Sequence, residues 1–381
     1  MKTKLIAWYL PQYHCIPEND KFWGEGFTDW VTVRNAQPLY RGHQQPRVPL
    51  NNNYYDLSIK DNVAWQAQLA KNYGIYGFGI YHYWFNNEKN LLTKPVDIIY
   101  NNKDIDIHYL LAWDNASWKR SWSAVDGNAW APVADNNRGN QKDNGILISY
   151  IIGNKPDWEN HFNHILHHFK DKRYIKVDNK PIFVILQYDE EIKKMCLYWN
   201  DLAQKNGFDG MYFIYKNKRW FEWDKNDIRF NYEPHHDGWL NPTMWERRIE
   251  KLKKMLRIPV GVATYNYDTI WGKILKNAEK ASPNEFLGAF VNYDDSPRRS
   301  KRGKIVKGSS PEKLRKYLSK LIEISEKQGK DFLFITAWNE WGEGAYLEPD
   351  IINEHSYLSA IKIVTNHFNS VSLPTTTTTA L

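Results

Sequence analysis

Two acidic residues three positions apart, Glu340 and Glu343, stand in a segment reading Trp338-Asn339-Glu340-Trp341-Gly342-Glu343-Gly344. Cleaving a glycosidic bond takes one protonated carboxyl to give the leaving oxygen a proton. A second, ionised carboxyl must act as base or nucleophile. Two carboxyls held close together among indole rings push their pKa values apart, which divides that labour between them. Gly342 and Gly344 allow a tight backbone turn, so both side chains could face one bound sugar. The bare spacing is common in solvated loops, so neighbours and place in the fold decide. Glu348, five residues beyond Glu343, is a further acid that could orient a neighbour.

The elements that must position this pair are short apolar runs separated by helical stretches. The strands expected are Lys4–Leu10, Gly74–His82, Ile107–Trp113, Lys180–Gln187, Gly210–Tyr215, Phe230–Glu233, Phe286–Tyr293 and Asp331–Trp338. A further run, Ile258–Thr264, could replace one of the weaker ones. This pattern suits an α/β fold of one kind, a single (β/α)8 barrel with long βα loops. Ser58 is expected to cap a helix through Asn72, with Gly74 just past its end. Ser310-Pro311-Glu312 opens another, with Leu314, Leu318, Leu321 and Ile322 as its stripe and Gly329 at its close. The long connection Trp113–Asp157 belongs with the loops that build an active face. No Gly-x-Gly-x-x-Gly follows the first strand, which disfavours a doubly wound sheet. No linker divides the chain: one catalytic domain covers 1–368, and 369–381, with the run Thr375–Thr379, reads as a disordered tail.

In a barrel, polar and aromatic residues at strand C-terminal ends are the candidates for chemistry. The first strand runs into Tyr9, Gln12 and Tyr13, and the second into Tyr81, His82 and Trp84. The third ends in Trp113, Asn115 and Trp118, the seventh in Tyr293 and Asp294, the last in Trp338, Asn339 and Trp341. Five such tails predict a wet, aromatic, acceptor-rich cleft. Composition agrees, since Trp 18, Tyr 24 and Phe 16 make up 15% of the 381 residues. Aromatic faces suit sugar C–H faces, and the competing reading is a Trp-rich core.

Lys+Arg 51 against Asp+Glu 44 leaves +7, a mild excess for a chain of this length and short of a phosphate-wrapping protein. Cys15 and Cys196 allow at most one disulfide and exclude a Cys-rich zinc scaffold. Met1-Lys2-Thr3-Lys4 looks like a signal n-region, but the apolar run Leu5 to Leu10 is too short for the rest. No run approaches a membrane span. The expectation is a cytoplasmic protein, with peripheral membrane association as an option.

The chain resembles the WbsX-type bacterial glycan enzymes, which are similar to glycoside hydrolase family 99, the endo-α-mannosidases and endo-α-mannanases. The likeness rests on Tyr9-Leu10-Pro11-Gln12-Tyr13-His14, Gly26-Phe27-Thr28-Asp29-Trp30, Tyr81-His82-Tyr83-Trp84-Phe85, Tyr293 to Arg299, and Ala337 to Asp350. It runs from Lys4 to about Phe368 and implies a (β/α)8 fold. It implies that Glu340 is the general base and Glu343 the general acid/base, with Asp29 and Trp30 joining the substrate contacts. It also implies retention of configuration through a 1,2-anhydro sugar, with α-manno or α-rhamno substrates in surface-polysaccharide metabolism. Two positions depart from the pattern. The third-strand block reads Trp113-Asp114-Asn115-Ala116-Ser117-Trp118, so an acid has moved from the position of Ala116 to Asp114. Asp29 stands where Glu is usual.

Other groups carry weaker expectations. His161, His164, His167 and His168 read as an exposed helix face ahead of a metal site. Glu233-Pro234-His235-His236-Asp237 divides evenly between substrate contact and loop packing. The basic run Arg298 to Lys304 reads as a solvated loop that could also attract an acidic polysaccharide, a lipid diphosphate or a membrane. No nucleic-acid module is present, and neither a metal nor a nucleotide cofactor is expected. The expected partner is an oligo- or polysaccharide, lipid-linked or free. A glycosyltransferase and a non-catalytic glycan-binding barrel are the alternatives; against the former, Asp104-Ile105-Asp106 precedes a strand instead of following one.

Overall fold

The computed structural model describes residues 2–119, 146–218, 221–240 and 262–371, with 244, 245 and 248 between the last two stretches. Eight strands carry the fold: β1 (Lys4–Tyr9), β2 (Gly77–Asn86), β3 (His108–Trp113), β4 (Lys180–Ile185), β5 (Tyr212–Lys216), β6 (Arg229–Phe230), β7 (Glu285–Phe290) and β8 (Phe332–Thr336). Each pairs in parallel with the next. β8 then pairs with β1, Lys4 opposite Phe332 and Ala7 opposite Ile335, so the sheet closes into a barrel. Closure removes the doubly wound alternative.

Strands covered on both faces need continuous apolar sequence, and β8, Phe-Leu-Phe-Ile-Thr, is buried at every residue. Trp8 fills the barrel interior with its ring centroid 4.9 Å from those of both Phe230 and Phe334. Gly79 makes room for it, because a Cβ there would lie 2.6 Å from the Trp8 ring. Large and small residues thus alternate across the barrel, as its filling requires.

Among the described residues, seven helices of eight or more residues pack outside: α1 (Lys60–Asn72), α2 (Lys94–Asn101), α3 (Lys155–Lys170), α4 (Glu190–Lys205), α5 (Tyr267–Ala278), α6 (Pro311–Lys327) and α7 (Ser356–Val371). Ser310 caps α6 by accepting from the Lys313 N–H, and the four expected apolar residues of its stripe are buried. α1 starts later than expected. The Ser58 N–H donates to Asp56 Oδ1 at 2.7 Å, and Ile59 is the cap residue. The extra strand expected over Ile258–Thr264 is not a barrel strand: Ala263–Asn266 pairs with Lys304–Lys307 outside it, and 258–261 lie outside the described residues. So do 120–145 of the long connection and the run Thr375–Thr379, while α7 continues to Val371. Both cysteines are free, and among the described residues no helix is long and apolar enough to cross a membrane.

Candidate active site

The loop after β8 is fixed from several sides. Asn339 clamps the end of β1, its Oδ1 accepting from the Leu10 N–H at 2.7 Å and its Nδ2 donating to the Leu10 carbonyl at 3.0 Å. The Tyr13 hydroxyl donates to the Asn339 carbonyl at 2.6 Å and accepts from the Trp341 N–H. Glu348 accepts from Tyr55, Gln66 and Trp341 at 2.6–2.7 Å, and the Trp341 ring stacks on Tyr346. Gly344 sits at φ +59°, a left-handed conformation that glycine adopts cheaply. Gly342 serves a different purpose. A Cβ there would lie 2.5 Å from Asp29 Oδ2 and 2.6 Å from Arg298 Nε.

That loop delivers Glu340 and Glu343 to a cavity of ≈ 400 Å³ at the C-terminal end of the barrel. All eight strands contribute to its wall: Gln12 after β1, Tyr81 and Tyr83 on β2, Asp114 and Ala116 after β3, and Gln187 after β4. Lys216 ends β5, Tyr232 and His235 follow β6, and Arg298 and Arg299 follow β7. Arg298 organises the acids. Its Nη1 lies 2.8 Å from Glu343, its Nη2 3.0 Å from Asp29 and 3.5 Å from Glu340, and its Nε donates to Asp29 as well. A planar fork of donors suits this bridging of three carboxylates.

Glu340 is 4% exposed. Burial, then the charge of Glu343, pushes its carboxyl up to about 8, against the pull of Arg298. Burial also raises Asp114 to about 6, opposed by Lys216, and lowers the ammonium of Lys216. The Lys216 Nζ sits 4.4 Å over the Tyr232 ring, and the Tyr232 and Tyr81 hydroxyls are 2.8 Å apart. The cavity therefore holds a carboxyl retaining its proton near neutral pH beside a second acid paired with arginine. Such a pair can both give and take protons.

Of the residues expected at the strand ends, Gln12 and Tyr81 join the acidic pair in this cavity. Tyr13, Asp29 and Asn339 stand one layer behind, holding the loop and Arg298. Tyr9 donates to Gln66 at 2.6 Å, Trp30 donates to the Tyr55 carbonyl at 2.8 Å, and Trp338 is fully enclosed. Behind β2 and β3, His82 Nε2 meets His161 Nε2 at 2.8 Å, Trp84 stacks on His161, and Trp113 donates to the Trp84 carbonyl. Asn115 pins the loop after β4 through both the N–H and the carbonyl of Gln187. Trp118 faces a smaller neighbouring pocket. Tyr293 bonds His235 at 3.1 Å, and Asp294 accepts from His43 and Gln45.

Two surface expectations are corrected. His161 and His168 are 2% and 4% exposed, because α3 buries them on the same side as Trp158, Phe162, Ile165 and Phe169. Arg298 is no solvated loop residue but the hub of two buried acids, Asp29 and Glu340, and the half-buried Glu343. The block after β6 divides: His235 lines the cavity, while His236 turns away to pair with Asp237 at 3.2 Å. Sequence reasoning passed over Tyr83, Gln187, Lys216 and Tyr232 as site residues. The rule that strand ends carry chemistry, applied to the weaker strands, would have found Lys216 and Tyr232. Asp114 and Ala116 both face the cavity, so the relocated acid still reaches the same hollow.

The family model Glycosyltransferase WbsX matches residues 5–361. The chain belongs to that family. It is thereby a member of a glycan-active enzyme family. Among curated proteins it matches "Uncharacterized protein WxcX" of Xanthomonas campestris pv. campestris, 29% identical over 372 residues, covering 95% of the chain and 49% of that protein. The chain thus spans about half the length of the curated relatives it matches. Among solved structures, a GH99 endo-α-mannosidase from Bacteroides thetaiotaomicron aligns with TM-score 0.53 at 12% identity, covering 96% of this chain and 97% of that one. A "Glycoside hydrolase-like protein" aligns with TM-score 0.56 at 13% identity, covering 96% and 94%. At these identities the likeness speaks for the fold of the WbsX-family chain.

Proposed function

We propose that this WbsX-family protein cleaves or transfers α-manno- or α-rhamno-configured glycosidic bonds, using Glu340 and Glu343 on one pyranose ring. The observation that carries this reading is that both carboxyls line one ≈ 400 Å³ cavity and share Arg298. In an α-mannoside the axial 2-hydroxyl lies anti to the leaving group. Glu340 takes the O2 proton as O2 bonds to C1 from behind. The bond from C1 to the leaving oxygen breaks, and Glu343 protonates that oxygen. Water or an acceptor hydroxyl then opens the 1,2-anhydro sugar, giving its proton to Glu343 while Glu340 returns one to O2. Configuration at C1 is retained.

One observation favours a second assignment within the same reaction. The raised carboxyl of Glu340 and the ion pair of Glu343 with Arg298 suit Glu340 as acid and Glu343 as base. The family description favours transfer over hydrolysis, with a sugar hydroxyl in place of water. The setting proposed is bacterial surface-polysaccharide metabolism, on a free or lipid-linked glycan, with Arg299 at the cavity as a contact for its acidic groups.

A panel of α-mannan and rhamnan oligosaccharides, with NMR of the first-formed anomer, tests this reading. The expected result is release or transfer with retention, absent from Glu340→Gln and Glu343→Gln variants that still fold. Full activity in the double variant would remove it. Nucleotide-sugar binding in a calorimeter, with no action on any oligosaccharide, would replace it with a conventional transferase.

A further inference from the structure

Beside the catalytic cavity lies a smaller pocket, and the two share Gln12 and Arg298 in their walls. Its free volume is ≈ 30 Å³, room for a group of a few heavy atoms and far too little for a sugar ring. Trp23, Phe27, Trp118 and Leu147 make its walls largely apolar. The Trp23 and Phe27 rings pack 5.9 Å apart, and Asp20 holds their loop by accepting from the N–H groups of Gly26 and Phe27.

One polar group in this wall is orphaned. Asn19 is 1% exposed, and its Nδ2 has no hydrogen-bond partner among the described residues. A buried amide donor without an acceptor is costly, so native structures rarely keep one unless a ligand or water completes it. The innermost charges, Asp29 and Arg298, are already bound to each other, and Lys119 stands exposed at the rim. A neutral group with one acceptor oxygen and a small apolar end fits this set. An ionised group does not.

We propose that this pocket selects glycans bearing an acyl substituent, an N- or O-acetyl group, on the sugar in the catalytic cavity. The inference rests on the glycan reading above and narrows its substrate class. The acyl oxygen accepts from Asn19 Nδ2, and the methyl group packs on Trp23 and Phe27. The 2-hydroxyl of the reacting sugar is the internal nucleophile, so on that sugar the substituent sits at C3, C4 or C6.

Calorimetry on the intact protein with methyl α-mannopyranoside and its 3-, 4- and 6-acetamido-deoxy analogues tests it. At least one acetamido probe is expected to bind roughly tenfold tighter than the parent, about 1.4 kcal/mol. Asn19→Leu and Asn19→Asp should each remove that gain while leaving the affinity for the parent within about twofold, which also reports on folding. Equal binding of parent and analogues, or a gain that survives both Asn19 variants, overturns the acyl pocket and leaves the manno reading standing. Failure of all four probes to bind removes both together.

Discussion

Glu340 and Glu343 share one guanidinium but not one environment, and this difference lets experiment separate acid from base. A carboxyl near 8 is only about a tenth ionised at pH 7, yet once ionised it is a stronger base than an ordinary glutamate. Both assignments hold a single proton on the pair, so a pH–rate profile alone cannot distinguish them. The leaving group can. A dinitrophenyl α-mannoside needs no acid, so Glu343→Gln should recover much of its lost turnover on that substrate and Glu340→Gln should not. Recovery in Glu340→Gln instead would exchange the two roles. In Glu343→Gln the rate on this substrate should rise with pH through a midpoint below 8, because the negative neighbour that helps raise Glu340 is gone. Arg298→Met predicts the opposite shift. Without the cation, the Glu340 carboxyl becomes harder to ionise, the activity onset moves to higher pH, and kcat/KM falls by roughly 10² to 10³, as for other lost charge stabilisers. An unmoved onset in Arg298→Met would mean that the guanidinium does not tune the pair.

At the scale of elements, the loop after β8 is positioned by groups that never reach the cavity. Glu348 is the anchor: three donors converge on its carboxyl, one of them the indole of Trp341, two residues before Glu343. Glu348→Ala would strand the three donors, each orphan costing about 1–3 kcal/mol. The expected outcome is a lower melting temperature together with a fall in kcat at nearly constant KM, partly restored in Glu348→Gln. A change in KM alone would place Glu348 in the binding of substrate. Gly342→Ala tests the other side of the loop, since its Cβ would force the Asp29–Arg298 pair apart, and steady-state kinetics should show a loss comparable to that of Arg298→Met. Gly342 and Gly344 were legible as turn residues, but only Gly344 needs its positive φ. The demand on Gly342 comes from Asp29, 313 residues away along the chain, and no local pattern reveals it.

At the scale of the whole molecule, the barrel was legible because parallel strands covered on both faces read as continuous apolar runs, and its end rule pointed to Gln12, Tyr81, Glu340 and Glu343. Arg298 was not legible, because its partners Asp29 and Glu343 are 269 and 45 residues away. Nor did the aromatic excess sort itself by sequence. Trp8, Trp113, Trp199, Trp271, Trp338 and Trp341 all went into the packed interior, while tyrosines face the cavity. Holding acids in that interior has a consequence for global stability. The folded Glu340 carboxyl titrates near 8, far above an unfolded glutamate near 4.5, so the native state binds the extra proton. Its contribution is therefore complete below about pH 4.5 and is lost as pH rises through 8. Glu340→Gln keeps the shape, removes the ionisation, and should melt higher than the wild type at pH 8, by roughly 2–4 kcal/mol of unfolding free energy, with the gap closing toward pH 4. On the proposed reaction the same substitution should abolish turnover, so the site would trade stability for an acid that can change charge. Parallel melting curves for the two proteins across pH 4 to 9 would show instead that burial does not hold the proton on Glu340.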